Sequence, residues 1–143
     1  MLLGTYHVKV SSGRRVFIPA QFRSQLGENL IIAKWYEECL VLVSSDSWNA
    51  LYKRLVGDQK IIVLPIRDTE RFILGSAYES IPDDQGRIIL PEALAFYAKL
   101  NDHVSFIGLG DRVEIWSSDL WEAKQKTLAI EAAGIIEKLS NEK

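Results

Sequence analysis

The pattern of apolar and polar residues predicts an order of short elements that occurs twice along the chain. Apolar and polar residues alternate over residues 6–10, as they do in a strand with one buried face. Ser11-Ser12-Gly13 interrupts the alternation as a turn would, so we predict a hairpin that joins this strand to a second strand over residues 16–18. The further elements predicted for the first half are a helix over 20–26, strands over 30–33 and 40–43, and a helix that begins near Ser44.

The second half is predicted to repeat this order. Strands are predicted over residues 78–81 and 87–90, with a turn at 82–86 between them. A helix over 92–99 follows, and then two strands over 104–107 and 112–116, which a link at 108–111 joins. The last helix is predicted to begin near Ser118 or Asp119, with an apolar stripe formed by Trp121, Leu128, Ala132, Ile135 and Leu139.

The segment between the two halves has a less regular pattern. Residues 61–64 are apolar and are predicted to form either a strand or a buried linker. Residues 68–74 have helical spacing and are predicted to form one or two helical turns.

The two halves are copies of one module. Residues 6–19 match residues 78–91 at a constant offset of 72, which places Arg15 on Arg87. After a one-residue insertion, residues 44–48 match residues 117–121. Solenoid repeats have periods of roughly 20–50 residues, so this longer period indicates a duplicated small module. Two such modules in one chain are predicted to form a pseudo-dimer whose halves bury each other's apolar faces.

Composition narrows the class of protein further. Hydrophobic residues make up 48% of the 143 residues, which is ordinary for a globular protein. No apolar run reaches the roughly 20 residues that span a bilayer, and no signal peptide is recognisable, so we expect no membrane association. Cys39 is the single cysteine, which fits a cytoplasmic location.

Charge is distributed unevenly along the chain. The first 27 residues contain four basic residues and no acidic ones, whereas the remainder has 13 basic and 19 acidic residues, a net charge of −6. A local cationic patch on an acidic body favours phosphate binding without indiscriminate adhesion. The four basic residues are Lys9, Arg14, Arg15 and Arg23.

One string carries a specific family resemblance. DDQGRIILP at residues 83–91 resembles the Asp-x-x-x-Arg, Gly-Arg and Ile/Leu-Pro signature of the MraZ family. Two copies of the Arg-x-x-x-Pro spacing, each followed by two strands and a helix with a Trp, make the signal specific. The resemblance extends over roughly residues 2–121, with further matches at 4–6, 18–23, Trp48, 72–77, 113–116 and 119–121.

The resemblance implies a fold and a set of module boundaries. The expected fold is α+β and mainly β, with tandem SpoVT/AbrB-like swapped-hairpin modules that form an intrachain pseudo-dimer barrel flanked by helices. The expected boundaries are a first module at 5–48, a helix and connector at 49–76, a second module at 77–121 and a C-terminal helix at 122–143.

The first copy departs from the family pattern at two positions. Ser11 stands where the family has an Asp, and Arg14 stands where it has a Gly, whereas Arg15 is kept. The first turn is therefore more cationic than the second turn, in which Asp83 lies four residues before Arg87. This change could strengthen phosphate contact or alter the DNA sequence that is recognised.

The resemblance also implies a function. It predicts a DNA-binding transcriptional regulator, a repressor that binds short direct repeats of double-stranded DNA upstream of cell-division and cell-wall genes, including its own operon. The family's ring-shaped homo-oligomer and a cytoplasmic, nucleoid-associated location are expected with it. Two alternatives remain open: a homo-oligomeric scaffold that does not bind DNA, and an AbrB-like regulator of the antitoxin type.

Residue roles follow from the geometry of DNA grooves. A two-stranded ribbon fits the major groove, and an Arg on its turn can reach a guanine edge. We assign Arg15 to a base edge, with a structural ion pair to Asp83 as its alternative. Arg87 is expected mainly to form a structural ion pair with Asp83, with DNA contact as its second role. The remaining candidates for DNA contact are Arg14 and Lys9 at phosphates, Ser11 and Ser12 through hydroxyl or backbone groups, and Arg23, whose role stays open.

Catalysis is not expected. His7 and His103 have no metal-ligand spacing, and Cys39 has no nearby His or Cys. Gly108-Leu109-Gly110 lacks the Lys and the helix of a phosphate-binding loop and is predicted to connect two strands. We therefore predict no metal, no cofactor and no small-molecule substrate, and we expect Trp48 and Trp121 to pack in the core.

Overall fold

The structure is a computed structural model that describes residues 1–58 and 61–142. Gln59, Lys60 and Lys143, which belong to the predicted connector and final helix, lie outside the described residues. The elements in chain order are β1 (Leu2–Lys9), β2 (Arg15–Phe17), α1 (Ala20–Leu26), β3 (Leu30–Lys34), β4 (Leu40–Ser44), α2 (Ser45–Val56), α3 (Leu64–Ile73), β5 (Tyr78–Ser80), β6 (Arg87–Ile89), α4 (Glu92–Tyr97), β7 (His103–Gly110), β8 (Val113–Ser117) and α5 (Ser118–Asn141), with short 3₁₀ turns at Tyr36–Glu38 and Leu74–Ser76.

The strands form two antiparallel sheets that join the two halves of the chain. The larger sheet has six strands in the order β1-β7-β8-β4-β3-β5, and the smaller sheet pairs β2 with β6. In four pairs, β1 with β7, β2 with β6, β3 with β5 and β4 with β8, one strand comes from each copy of the module. The fold is thus α+β as predicted, but it is not mainly β, because the described helices contain more residues than the strands, chiefly through the long α5. The predicted barrel is not seen, because the described strands form an open sheet that ends at β1 and β5.

The predicted hairpin within each half is wrong in its pairing. Beyond the single bridge between Ser11 and Arg15, β1 does not pair with β2, and β2 instead pairs with β6. The physical reason is the burial of Val16 and Ile88, which lie opposite each other in the β2–β6 pair and are 0% and 2% exposed. Pairing across the two copies puts both side chains in one shared core.

The helix ends agree with the sequence signals. Ser44 caps α2 by accepting a hydrogen bond from the Ser47 amide at 3.2 Å, and Ser117 does the same for α5 from the Leu120 amide at 3.4 Å. Gly27 follows α1 with a φ of 76°, a left-handed conformation that glycine adopts without strain. Equivalent Ser caps in both halves show that the duplication extends to the helix starts.

The segment between the halves differs from its prediction. Ile61 and Ile62 are 66% and 77% exposed, so residues 61–64 form neither a strand nor a buried linker. Leu64 begins α3, which is longer than the one or two turns predicted because Pro65 lies in its first turn, where a missing N–H costs nothing.

The predicted link at residues 108–111 is also corrected. Gly108, Leu109 and Gly110 continue β7, and the chain turns only at Asp111, where the Leu109 amide donates to the Arg112 carbonyl at 2.9 Å. A Cβ on Gly108 would lie 2.7 Å from the backbone of Leu2 on β1. Glycine is needed here for close strand approach, so its presence did not indicate a loop.

Two apolar clusters lie on opposite faces of the larger sheet. The first is filled by side chains from both halves, including Val16, Phe22, Ile88, Leu94 and Phe106. The second contains Trp48 and Trp116, with Trp121 half-buried against it, which agrees with the predicted packing role of Trp48 and Trp121.

The apolar stripe of α5 is covered only in part. Trp121, Leu128 and Ala132 are half-buried, whereas Ile135 and Leu139 are 44% and 63% exposed. The stripe therefore packs on the body only along the first half of the helix.

Candidate nucleic-acid interface

The first turn (residues 11–15) is a closed loop at the start of β2. The Ser11 amide donates to the Arg15 carbonyl at 2.8 Å, and the Arg15 amide donates to the Ser11 carbonyl at 3.3 Å. The Ser11 hydroxyl also donates to the Arg15 carbonyl at 3.0 Å. Gly13 and Arg14 have φ values of 77° and 56°, so two successive residues are left-handed. This geometry suits glycine but strains Arg14 by roughly 1–2 kcal/mol.

Arg15 is exposed and lies over this turn. Its Nη1 donates to the Ser12 carbonyl at 3.3 Å, and a Cβ on Gly13 would lie 2.5 Å from the same atom. Over the part of the chain that the structure describes, Arg15 forms no ion pair with any carboxylate. The alternative pair with Asp83 is not formed, because that carboxylate bonds to Arg87.

The second turn (residues 83–87) is organised by a carboxylate. Asp83 Oδ1 accepts from the amides of Gln85 and Arg87 at 3.0 and 2.9 Å, and its Oδ2 accepts from Arg87 Nε at 2.9 Å. The hydrogen bond from the Arg87 backbone amide is the largest cause that holds the pKa of Asp83 below its ordinary value. The hydrogen bond and charge of the Arg87 guanidinium lower this pKa further. The Arg87 side chain is 28% exposed, and its guanidinium carbon lies 5.8 Å from the ring centroid of Phe17.

The ribbon formed by β2 and β6 places both arginines on one face. Arg15 is opposite Ile89, and Phe17 is opposite Arg87, whereas Val16 and Ile88 point into the core. Diagonal neighbours of this kind have Cα atoms about 7–8 Å apart. The outer face therefore carries two guanidinium groups and two exposed apolar side chains, of which Phe17 is 43% and Ile89 51% exposed.

The other predicted site residues divide into two groups. Lys9 is exposed at the end of β1, opposite His103, and Ser12 is exposed in the first turn. Arg14 and Arg23 are instead bound to backbone carbonyls: Arg14 Nε donates to Leu90 at 2.9 Å, and Arg23 Nε donates to Ile18 at 2.7 Å. Arg23 borders a cavity that Asp83 and Asp84 also line, so its surroundings are acidic.

Sequence reasoning missed the two apolar members of the outer face and both carbonyl acceptors. Phe17 and Ile89 were hidden because their exposure depends on which strand pairs with which, and this is not a local property. The 72-residue offset relates Ile18 to Leu90, but no sequence signal near either residue indicated that its carbonyl accepts from an arginine.

The metal-ligating side chains and the single thiol are the remaining candidate chemical groups. No group of three or more His, Cys, Asp or Glu side chains in residues 1–58 and 61–142 is arranged to hold a metal ion. Cys39 is buried, its Sγ donates to the Tyr36 carbonyl at 3.2 Å, and burial, together with the Glu114 charge, raises the pKa of its thiol far above the ordinary range. Among the described helices, none has the length and apolarity required to cross a bilayer.

These features define a class: a duplicated α+β chain whose copies exchange strands and present a ribbon with arginines on its exposed face. The family model for the MraZ protein, described as antitoxin-like, matches residues 1–60 and 73–138. The chain belongs to the MraZ family of transcriptional regulators.

Similar proteins from several bacteria carry the name transcriptional regulator MraZ. The protein from Caldanaerobacter subterraneus subsp. tengcongensis is 39% identical over 144 residues, which covers 99% of this chain and 98% of that protein. The protein from Thermoanaerobacter sp. is 36% identical over 144 residues, with 99% and 98% covered. The protein from Bifidobacterium longum is 38% identical over 125 residues, with 86% and 81% covered. These relatives are regulators and not enzymes, which agrees with the prediction for this chain.

A solution structure of PHS018 from Pyrococcus horikoshii aligns with 80% of this chain and 88% of its own. Its TM-score is 0.33 and its identity 16%, a likeness too low to support any inference.

Proposed function

We propose that this protein is a sequence-specific DNA-binding transcriptional regulator. It acts as a repressor on short direct repeats upstream of cell-division and cell-wall genes, including its own operon. It works in the cytoplasm, in association with the nucleoid. Family membership and the cationic first turn support this proposal together, because a regulator of transcription needs a surface that a duplex can approach.

The exposed guanidinium of Arg15 carries the proposal. It lies on the outer face of the ribbon, next to Arg14, and no described carboxylate neutralises it. A two-stranded ribbon can enter the major groove, where an Arg side chain bonds to guanine O6 and N7. We assign Arg15 to a base edge on this ground.

The neighbouring residues then have supporting roles. Lys9 precedes the first turn, Ser11 and Ser12 lie in it, and all three are exposed, which suits contact with phosphates. Arg87 lies on the same face but is held by Asp83, so it contributes mainly to the stability of the second turn. Arg14 and Arg23 each donate a hydrogen bond from Nε to a backbone carbonyl, so only their Nη groups remain for contact with DNA.

One such turn per chain would bind weakly. We infer that several copies assemble into a ring and present their turns to successive repeats, since linked sites raise the effective concentration of each next contact. The exposed apolar end of α5 and the free edges of β1 and β5 provide surface for assembly.

Fluorescence anisotropy with a labelled duplex from the region upstream of the chain's own operon tests the proposal. We expect sequence-selective binding whose log affinity falls steeply and linearly with log salt concentration. Affinity that is equal for a shuffled duplex, or that does not change with salt, would contradict it and favour the scaffold alternative.

The description of the family model as antitoxin-like supports a second candidate, an antitoxin-type regulator that also binds a partner protein. The affinity of the chain for DNA would then depend on that partner. Co-purification of a neighbouring gene product in fixed stoichiometry, with a changed DNA affinity in its presence, would distinguish this candidate.

A further inference from the structure

Two backbone carbonyls occupy equivalent places in the two halves. Ile18 and Leu90 lie at the end of the ribbon strands, each directly before a proline that begins a helix, and they are related by the offset of 72. Each receives one hydrogen bond from an arginine Nε, from Arg23 at 2.7 Å and from Arg14 at 2.9 Å. The same acceptor is thus bound to the same chemical group in both halves.

The two guanidinium groups come from positions that are not equivalent. Arg23 belongs to α1, and its counterpart on α4 is Ala95. Arg14 belongs to the first turn, and its counterpart in the second turn is Gly86. The Ile18 site therefore combines a helix arginine of the first half with a turn glycine of the second, and the Leu90 site combines a turn arginine of the first half with a helix alanine of the second.

Steric contact explains why a helix arginine goes with a turn glycine at the Ile18 site. A Cβ on Gly86 would lie 2.8 Å from Arg23 Nε and 2.9 Å from its Cζ, so the helix arginine occupies the space that a turn side chain would take. Gly86 and Arg14 also share a left-handed backbone, with φ of 80° and 56°, and each turn carbonyl accepts from the opposite strand end, at 2.9 Å for Ile18 and 2.8 Å for Leu90. The backbones match, and only the source of the guanidinium differs.

We propose that Arg14 is a positioning residue, which replaces the missing helix arginine at Ala95 and fastens the first turn to the end of β6. Its charge is a consequence of this role and not the reason for it. The fastened turn carries Arg15, so Arg14 acts on DNA through the placement of Arg15. This last step rests on the proposed function, whereas the fastening itself does not.

A four-member set tests the fastening without DNA: the unchanged chain, Arg14→Gly, Ala95→Arg and the double variant. We expect Ala95→Arg to lower or leave unchanged the urea midpoint when Arg14 is present, and to raise it when Gly occupies position 14, because only then is the Leu90 carbonyl free for the new arginine. The difference between the effects of Ala95→Arg in the two backgrounds does not depend on how much backbone strain Arg14→Gly relieves. The same shift from Ala95→Arg in both backgrounds overturns the proposal.

Arginine side-chain NMR gives a direct observation on the unchanged chain. The Nε–H protons of Arg14 and Arg23 should exchange slowly with solvent, as should that of Arg87, which is bound to Asp83. Arg15 is the matched control, because its recorded bond uses Nη1 and its Nε–H should exchange fast. Fast exchange at Arg14 with slow exchange at Arg23 contradicts the fastening.

Anisotropy on the upstream duplex separates positioning from phosphate contact. If Arg14 positions Arg15, Arg14→Gly weakens binding several-fold with an unchanged salt slope, the double variant restores binding, and Arg14→Lys does not. If Arg14 contacts a phosphate, Arg14→Gly reduces the salt slope by about one, and Arg14→Lys restores both slope and affinity, which overturns the proposal. If the unchanged chain does not bind the duplex, the proposed function fails and the urea set alone decides the fastening.

Discussion

At the scale of single residues, the two turns show how one carboxylate changes the role of an arginine. Arg15 and Arg87 occupy equivalent positions on the outer face of the ribbon. Asp83 bonds Arg87 and two amides of its turn, whereas Ser11, its counterpart, contributes only a hydroxyl bond to a carbonyl. Arg87 is therefore held by a carboxylate, whereas Arg15 bonds to the Ser12 carbonyl and has no carboxylate partner among the described residues.

Replacing Arg15 by Ala should reduce specific DNA binding by about 1–3 kcal/mol, because a bidentate bond to guanine is lost, and leave the fold intact. Anisotropy measures the first effect and circular dichroism the second. Arg87→Ala is the matched control and should show the opposite balance, with lower stability and a milder loss of DNA binding. Unfolding of the Arg15 variant would show that Arg15 is structural.

Acid should loosen the second turn before the first. The pKa of Asp83 is lowered in the folded chain, so its stabilising contribution is present above the unfolded pKa of about 3.9 and is lost as pH falls through the folded value. The amide signals of Gln85 and Arg87 should shift in that range in an NMR titration. Asp83→Asn should remove the shift, and the amides of the first turn serve as the internal control.

At the scale of elements, local signals predicted the helices and their caps well. Ser44, Ser117 and Gly27 act within a few residues of their position, so the sequence contains the whole of their information. Most strand locations were predicted for the same reason, although β1 begins at Leu2 and not at Tyr6, and residues 108–110 continue β7. Strand partners were not, because β2 pairs with β6 about seventy residues away, and a short apolar run favours any partner that shares its core.

The candidate site shows the same division. The choice of Arg15 as a candidate for DNA contact and the prediction of the Asp83–Arg87 ion pair both followed from residue type and spacing. The bond from Arg14 to Leu90 spans 76 residues and depends on the exchanged pairing, so no pattern near Arg14 indicated it.

The exchanged ribbon should depend on its inner face. Ile88→Ala should lower the free energy of unfolding by about 2–5 kcal/mol, because Ile88 is 2% exposed and its removal leaves a cavity shared by both halves. Its neighbour Ile89 is 51% exposed, and Ile89→Ala should change stability by less than about 0.5 kcal/mol. Urea titrations of both variants make the comparison, and equal losses would argue against this orientation of β6.

At the scale of the whole molecule, the two halves share strand pairs and an apolar core. Four strand pairs cross between the halves, and the first apolar cluster contains side chains from both. The duplication is therefore visible in sequence as two modules and in structure as one body.

Separate fragments of residues 1–58 and 61–143 should not fold as monomers, since each would expose half of the shared cluster. Mixing them in equal amounts should restore dispersed NMR signals. Sedimentation on the same samples establishes the molecular mass, and a folded, monomeric fragment would contradict the prediction.

The pairing of β1 with β7 has a consequence for synthesis on the ribosome. Lys9 on β1 cannot pair until His103, the residue opposite it on β7, has been synthesised. At about 5–20 residues per second, translation leaves the first strand without that partner for on the order of ten seconds. During this time both edges of β1 are unpaired, whereas in the folded protein β7 covers one of them, so the nascent chain is more exposed to chaperones and proteases than the folded protein.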